Sequence, residues 1–275
     1  EQLLDEYHLQ ALTEDALKPS VEHQHWMQGG GALLSVQLPP EHLSGERLLT
    51  LGDSIALDGA CYTVVTLSEN QFQVVASPET RQKTILSSYT SGQLLHYEYP
   101  LRLQDPLGGH WVSGHVDMAC PVLAMVPEGN AWRMVFGIPS QEALELIVPK
   151  GSVTLNGVSL TVNTVAQTPH PVGLSSVPEE TLSEAFSCLQ ALGIPCHGWF
   201  DVCLIPHTWE VTRMASYRTV TSCVQAIQDN PQELLMTSFQ LSPLWEGAWV
   251  NLELDMMGKM IHQRLKLYLE AQTSA

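Results

Sequence analysis

Basic residues are scarce in this sequence, and so are charged residues of either sign. Of its 275 residues, 12 are Lys or Arg and 29 are Asp or Glu, which gives a net charge of −17, and charged residues make up only 15% of the chain. Because an acidic chain repels phosphate backbones and no local cluster of basic residues offsets this, we predict no direct binding to nucleic acid. With 44% apolar residues, the composition predicts a folded globular chain rather than a disordered one.

Long apolar runs and paired cysteines are also absent. No run approaches the ~18 apolar residues that a transmembrane helix requires, so no membrane span is expected. The six cysteines form no Cys-x-x-Cys pair and are too sparse for a disulfide scaffold, which favours a reducing compartment, cytoplasmic or organellar (plastid or mitochondrial). Residues 1–17 have neither the basic start nor the apolar segment of a secretory signal, and removal of a presequence before Glu1 stays an open alternative.

What the sequence does contain is an internal repeat. Residues 54–65 are SIALDGACYTVV, and they align without gaps with residues 152–163, SVTLNGVSLTVN. Each copy has an Asp-Gly or Asn-Gly pair between two apolar segments, which predicts a β-hairpin with a two-residue turn. Two further patterns recur in the same order: residues 72–89 align with 200–217, and residues 92–98 align with 247–253.

The repeat predicts the domain organisation. We expect two homologous all-β domains at residues 1–100 and 101–255, followed by a C-terminal helix within 256–275. The second domain carries helical insertions at about 166–199 and 219–246, which we interpret as docking surface or cover for the domain, with a capping box at Ser176 and Glu179. The apolar face of the final helix favours packing on another subunit or on the barrel wall; it consists of Met260, Ile261, Leu265, Tyr268 and Leu269.

The repeated hairpins present short polar side chains at matching positions. Because side chains alternate along a strand, Cys61 and Thr63 share one face, and Ser159 and Thr161 share the same face in the second copy. Such groups suit hydrogen bonds to a polyol or to the edge of a heterocycle. They are equally consistent with ordinary strand residues, so both interpretations stay open.

A second polar motif, GGHWVSGHVD at residues 108–117, stands between the two copies. Its glycines predict backbone held close to another group. His115 is a candidate acid or base. His110 and His115 are alternatively metal ligands, but no carboxylate or thiolate stands at a usual metal-binding spacing, so we predict no metal site.

The motifs G-x-C-x-T-V and G-x-S-L-T-V, separated by GGHxxSGHVD, closely resemble those of riboflavin synthase and its lumazine-binding relatives. The resemblance covers about residues 33–254 apart from the insertions. It implies two six-stranded Greek-key barrels, a C-terminal trimerisation helix, and substrate sites between the N-terminal barrel of one subunit and the C-terminal barrel of its neighbour. The implied reaction is the dismutation of two 6,7-dimethyl-8-ribityllumazine molecules to riboflavin and a pyrimidinedione, without a metal or redox cofactor.

The resemblance also implies roles for individual residues. For Asp255 the alternative is a residue that merely ends a strand, and Lys259 follows it near a place where the family often has a basic residue. The implied catalytic residues are Ser54, Cys61 and His115, and the implied substrate-binding residues are Thr63, Asn156, Ser159, Thr161 and Asp255.

Two departures from the family pattern leave three hypotheses. The opening strand motif Met-Phe-Thr-Gly-Ile-Val is absent, and its expected place at residues 12–16 adjoins a stretch with helical spacing. Asn156 replaces the usual Asp, and an amide cannot serve as an anion or base. The chain is therefore an active riboflavin synthase, a catalytically inactive protein that binds lumazine or riboflavin, or a catalytically inactive structural subunit of a larger protein complex.

Overall fold

The chain is represented by a computed structural model that describes residues 9–11, 30–38, 48–68, 70–90, 92–167, 174, 176–229 and 247–273. The described residues of the N-terminal half form seven strands, with a short helix and a 3₁₀ turn before the last two. The elements are β1 (Leu9–Ala11), β2 (Ala32–Gln37), β3 (Ser54–Leu57), β4 (Ala60–Leu67), β5 (Gln71–Ala76), α1 (Pro78–Lys83), the 3₁₀ turn (Ile85–Ser88), β6 (Leu94–Leu95) and β7 (Tyr97–Glu98).

The N-terminal strands form one antiparallel sheet in the order β6-β1-β2-β5-β4-β3-β7. Its two edge strands, β6 and β7, are separated along the chain by His96 alone, so the sheet curls round until both edges meet in one segment. The interior is filled by fully buried apolar side chains, among them Phe72, Val74 and Leu95. These side chains fill the interior, as is usual for a small, closely curled sheet.

The C-terminal half forms a closed six-stranded barrel in the order β10-β11-β12-β9-β8-β13. Phe136 and Phe200 stack in its core with ring centroids 5.4 Å apart. The elements are β8 (Met118–Glu128), β9 (Ala131–Ile138), α2 (Gln141–Leu146), β10 (Ser152–Leu155), β11 (Val158–Ala166), α3 (Glu179–Ala191), β12 (Gly198–Leu204), α4 (Pro206–Val211), a 3₁₀ turn (Arg213–Ser216), α5 (Val220–Asp229), β13 (Trp249–Leu254) and α6 (Met256–Thr273).

The predicted all-β class with a C-terminal helix is confirmed, but the helical spacing near the N-terminus does not produce a helix at Leu9–Ala11. These three residues form β1, which pairs with β2 on one side and β6 on the other. In the second barrel β8 pairs in the same way with β9 and β13. A strand is favoured here because β2 and β6 would otherwise leave backbone groups unpaired at an open sheet edge. Residues 12–16, where the family's opening motif was sought, lie outside the described residues.

The insertion helices cover the outer wall of the second barrel. Leu182 and Leu189 of α3 and Cys223 of α5 are buried in one cluster with the barrel residues Leu123 and Trp199. The predicted capping box is wrong: α3 begins at Glu179 with Pro178 at its N-cap and no side-chain cap. The hydroxyl of Ser176 donates instead to Glu128 Oε2 on β8 at 3.4 Å. The remaining insertion residues, 168–173, 175 and 230–246, are not among those described.

The C-terminal helix α6 lies within the predicted range, 256–275, and leaves its apolar face uncovered. It contacts the barrel through Lys259, whose Nζ donates to the carboxylate of Asp117 before β8 at 2.9 Å, and through α2, where Lys266 Nζ lies 4.0 Å from Glu142 Oε1. None of the described helices is long and apolar enough to cross a bilayer. More than half of each side chain on this apolar face is exposed, at Met260, Ile261, Leu265, Tyr268 and Leu269. Within one chain the apolar face therefore does not pack on the barrel wall.

Candidate functional site

The turns of the two repeated hairpins meet at the contact between the barrels. Asp58 and Gly59 have φ of 42° and 77°, and Asn156 and Gly157 have φ of 46° and 87°, so both turns have the conformation that the Asp-Gly and Asn-Gly pairs predict. A methyl group on Gly59 would lie 2.9 Å from Gly157 Cα and closer still to Gly157 N. Only glycine permits backbone to approach backbone this closely.

Asp58 and Asn156 hold their turns through equivalent hydrogen bonds. Asp58 accepts from the backbone N–H of His96 at 2.9 Å and from the hydroxyl of Tyr89 at 2.8 Å. Asn156 accepts from the backbone N–H of Asn251 at 2.6 Å, and its amide nitrogen donates to the hydroxyl of Tyr217 at 2.6 Å. Burial raises the pKa of both tyrosines, so they remain neutral hydroxyls.

His96 fastens the first barrel to the second. Its Nδ1 lies 3.1 Å from the backbone oxygen of Asn156, and its Nε2 accepts from the backbone N–H of Arg213 at 2.8 Å. Since Nε2 accepts, the proton is on Nδ1 and the imidazole is neutral in this arrangement.

Asn251, which aligns with His96 in the repeat, makes the reciprocal contacts. Its amide nitrogen donates to the backbone oxygen of Asp58 at 2.8 Å, and its amide oxygen accepts from the backbone N–H of Ile85 at 2.8 Å. Ile85 aligns with Arg213 in the same way. Paired positions therefore make paired contacts on both sides of the interface, which fixes the two barrels relative to each other.

The connecting segment with the GGHWVSGHVD motif crosses the outer face of both hairpins. A methyl group on Gly109 would lie 2.7 Å from Ser159 Cβ, and one on Gly114 would lie 2.7 Å from Cys61 Cβ. Both glycines have positive φ, 79° and 76°. Because Ser159 and Cys61 are aligned positions, the motif places one Gly-His pair on each hairpin.

On the N-terminal hairpin the polar face is open to solvent. Cys61, Thr63 and Ser54 are exposed, and Ser54 stands opposite Thr63 in the register of β3 and β4. The backbone N–H of Cys61 donates to the carbonyl of Gly114 at 2.8 Å, which brings the adjacent, exposed His115 to the thiol strand. Ser54, Cys61 and Thr63 thus share one accessible face outside the core, and the backbone of His115 adjoins it.

On the C-terminal hairpin the hydroxyl groups bind an imidazole of the chain itself. His110 Nδ1 lies 2.7 Å from Ser159 Oγ, and its Nε2 lies 3.2 Å from Thr154 Oγ1. Burial lowers the pKa of His110, although the negative charges of Asp255 and Glu253 oppose this. A neutral ring offers one donor and one acceptor to the two hydroxyls.

This geometry can be compared with known proteins. The family model described as lumazine binding domain matches residues 20–99 and 113–224. The chain belongs to the lumazine-binding family. The two matched segments lie in the N-terminal sheet and in the C-terminal barrel as far as α5. We call these two halves of the chain the N-terminal and C-terminal lumazine-binding domains.

Sequence relatives and solved structures of this family resemble the chain over most of its length. Riboflavin synthase of Saccharomyces cerevisiae is 30% identical over 225 residues, covering 82% of this chain and 72% of the relative. Riboflavin synthase of Mycobacterium tuberculosis is 34% identical over 217 residues, covering 78% and 80%. The structure of LumP complexed with 6,7-dimethyl-8-(1'-D-ribityl) lumazine has a TM-score of 0.55 at 11% identity and covers 91% of this chain and 96% of that chain. The structure of LumP complexed with riboflavin has a TM-score of 0.56 at 12% identity and covers 91% and 97%. At this identity the two structures support the fold alone.

The structure separates the residues selected from the sequence into three places. Ser54, Cys61, Thr63 and His115 lie together on the N-terminal lumazine-binding domain. Ser159, Thr161 and Asp255 belong to the C-terminal domain, where Thr161 is exposed and the Asp255 carboxylate accepts from the N–H of Met257 at 3.0 Å, at the start of α6. Asn156 lies apart, in the interface, with both amide atoms bound by protein groups.

Sequence reasoning overlooked Glu253. Its carboxylate is buried and accepts from the backbone N–H and the hydroxyl of Ser113 at 2.8 and 2.7 Å and from the N–H of Gly114 at 3.0 Å. The recurrence of Glu at aligned positions 98 and 253 was the available indication. The contacts of His110 with hydroxyls were also missed. Among the residues that the structure describes, no cluster of three or more His, Cys, Asp or Glu side chains has the arrangement to hold a metal ion.

Proposed function

We propose that the chain is a riboflavin synthase that converts two 6,7-dimethyl-8-ribityllumazine molecules to riboflavin and a pyrimidinedione. The observation that carries the proposal is the accessible thiol of Cys61 beside the Gly114–His115 backbone, with the hydroxyls of Ser54 and Thr63 on the same face. The identity of 30–34% to riboflavin synthases over most of the chain supports it.

The proposed reaction needs proton transfer and orientation rather than redox chemistry. A four-carbon unit passes from one lumazine to the other, so the two products together contain all the atoms of the two substrates. One substrate must lose a proton from its C7 methyl group, and the other must be attacked at C7. Cys61 supplies a nucleophilic thiol and His115 an imidazole that can take up and return a proton. Ser54 and Thr63 supply hydrogen bonds that orient the ring or the ribityl chain.

The second substrate is proposed to bind the C-terminal domain, with Ser159 and Thr161 on its ribityl hydroxyls and Asp255 near the ring edge. We propose that the two substrates meet between the N-terminal polar face of one copy and the C-terminal polar face of another. We propose that the exposed face of α6 joins the copies, in a homotrimer. The paired contacts of aligned residues across the interface further support an origin of the two domains from one duplicated ancestor.

The decisive experiment is incubation of the purified protein with 6,7-dimethyl-8-ribityllumazine while the absorbance of riboflavin is followed. We expect turnover, and a fall in kcat in Cys61→Ala because that variant lacks the proposed nucleophile. In His115→Ala we expect kcat to fall by at least about 100-fold, the order of magnitude of a lost acid–base group. Cys188→Ala is the matched control, since Cys188 lies on α3, in the insertion that covers the C-terminal barrel. A folded wild-type protein without turnover would refute the proposal.

A second candidate function, a non-catalytic lumazine- or flavin-binding protein, is favoured by the fold. The similar LumP chains are complexed with 6,7-dimethyl-8-(1'-D-ribityl) lumazine, riboflavin and flavin mononucleotide. In the same sample, saturable quenching of riboflavin fluorescence without turnover would establish this alternative. If both turnover and saturable binding are absent, the result would favour the third hypothesis, a structural subunit of a larger complex.

A further inference from the structure

Glu253 belongs to the C-terminal domain, but its carboxylate accepts hydrogen bonds from the connecting segment, which contacts the N-terminal domain. It lies on β13 of the C-terminal barrel and is 2% exposed. Three donors converge on its carboxylate, and all three belong to the connecting segment, at Ser113 and Gly114. A buried carboxylate is stable only with such partners, so the connecting segment and Glu253 hold each other in place.

The same segment touches the thiol strand of the N-terminal domain. Gly114 donates its N–H to Glu253 at 3.0 Å and accepts from the N–H of Cys61 at 2.8 Å. Its missing Cβ lets the two backbones approach, since a methyl group there would meet Cys61 Cβ at 2.7 Å. One residue, Gly114, thus connects the carboxylate of the C-terminal barrel to the strand that carries Cys61, and His115 follows directly.

We propose that Glu253 is a positioning residue for the site on the N-terminal domain. It holds Gly114 against Cys61 and thereby sets where His115 stands relative to the thiol, so that this site is complete only while the C-terminal barrel is docked. The positioning itself rests on the observed contacts, and its effect on turnover rests on the proposed function.

The variant Glu253→Gln tests this with little change in volume. Its amide oxygen can still accept from Ser113, but its NH₂ group would face the N–H of Gly114, so that contact is lost. Glu145→Gln is the matched control, because Glu145 is an exposed carboxylate on α2 of the same barrel. The backbone amide of Val64, which donates to Asp53 on the same hairpin at 2.9 Å, is the internal reference.

The readouts are amide hydrogen exchange at single residues and steady-state kinetics. In Glu253→Gln we expect the exchange of the Cys61 amide to rise about tenfold or more, since a hydrogen bond to a charged group has about that effect. The Val64 amide should stay within about twofold of wild type, and kcat should fall with KM nearly unchanged. A purely structural role would raise exchange at both amides and change KM together with kcat.

Unchanged protection of the Cys61 amide in folded Glu253→Gln would overturn the proposal. Should that variant not fold, Ser113→Ala removes only the hydroxyl bond to Glu253, and a smaller but selective rise at Cys61 is expected. No selective rise there would equally overturn it. Absence of turnover in the wild type would refute the proposed function, whereas the exchange experiment would still decide the role of Glu253.

Discussion

The contact between the two hairpin turns can be tested with a single methyl group, in the variant Gly59→Ala. The new Cβ would lie 2.9 Å from Gly157 Cα and 3.1 Å from the carbonyl carbon of Asn156. Carbon atoms in ordinary contact are about 3.5–4.0 Å apart. Since the obstructing atoms are backbone in a tight turn, they cannot rotate away, and the two turns must separate by roughly 1 Å.

The expected cost has two parts that a control variant separates. Alanine at the φ of Gly59, +77°, costs about 1–2 kcal/mol because of its backbone conformation alone. Gly52→Ala carries the same conformational cost at φ +88°, but nothing lies within 4 Å of its added methyl group. In Gly59→Ala, separation of the turns also weakens the hydrogen bonds of Asp58 and Asn156 across the interface, at about 1 kcal/mol or more for each bond lost.

Urea unfolding followed by tryptophan fluorescence and by circular dichroism measures the difference. We expect Gly59→Ala to lose at least about 2 kcal/mol more than Gly52→Ala, and to unfold in two steps if the barrels uncouple. Equal destabilisation of the two variants would show that the turns do not hold the barrels together, and the interface described above would then need another explanation.

Three further predictions concern single contacts. His96→Asn copies the residue at the aligned position 251, so we expect its free energy of unfolding in urea to fall by less than about 1 kcal/mol. In His96→Leu it should fall by about 2 kcal/mol or more, because the N–H of Arg213 and the backbone oxygen of Asn156 lose their partner. Equal losses in the two variants would contradict the role of the ring nitrogens. Burial lowers the folded pKa of His110, so the contribution of the neutral ring to the free energy of unfolding is complete above about pH 6.5 and declines as pH falls toward the folded pKa. His110→Gln should remove this part of the pH dependence. An NMR titration midpoint of His110 at or above about 6.5 would disprove the prediction. Ile261→Glu combined with Leu265→Glu should convert an oligomer to a monomer in light scattering, with Gln263→Glu as the control; a monomeric wild type would disprove the role of α6.

The hairpins were predictable because their determinants are local. Asp58-Gly59 and Asn156-Gly157 require positive φ at successive positions, and the flanking apolar residues prefer strands, so twelve adjacent letters carry the information. The exposed stripe on α6 was predictable for the same reason, since helical spacing places its side chains on one face. A strand at Leu9–Ala11 was not predictable locally, because the open edge that it fills belongs to β2 and β6, which lie far from it in sequence.

The contacts of the candidate site required three dimensions. His110 and Ser159 are 49 residues apart, and Ser113 and Glu253 are 140 apart, so no spacing rule connects them. Glu253 is a polar residue in an otherwise apolar strand, and the sequence pattern alone predicts that its side chain points outward to solvent. Only the fold shows that the connecting segment covers this position, and that its carboxylate is consequently buried and fully bonded.

The two domains share their framework but differ at the candidate site. Asp58 and Asn156 accept equivalent backbone hydrogen bonds, and His96 and Asn251 make equivalent crossings, so the interface tolerates different residues in the same roles. On the outer faces the exchange of Cys61 for Ser159 is not neutral, because a thiolate is a far better nucleophile than a hydroxyl. A reaction between two identical molecules requires that one be treated as donor and the other as acceptor. In the proposed reaction, the exposed thiol on one surface and the hydroxyls that contact an imidazole on the other would distinguish donor from acceptor. This asymmetry favours an enzyme over a carrier with two interchangeable sites.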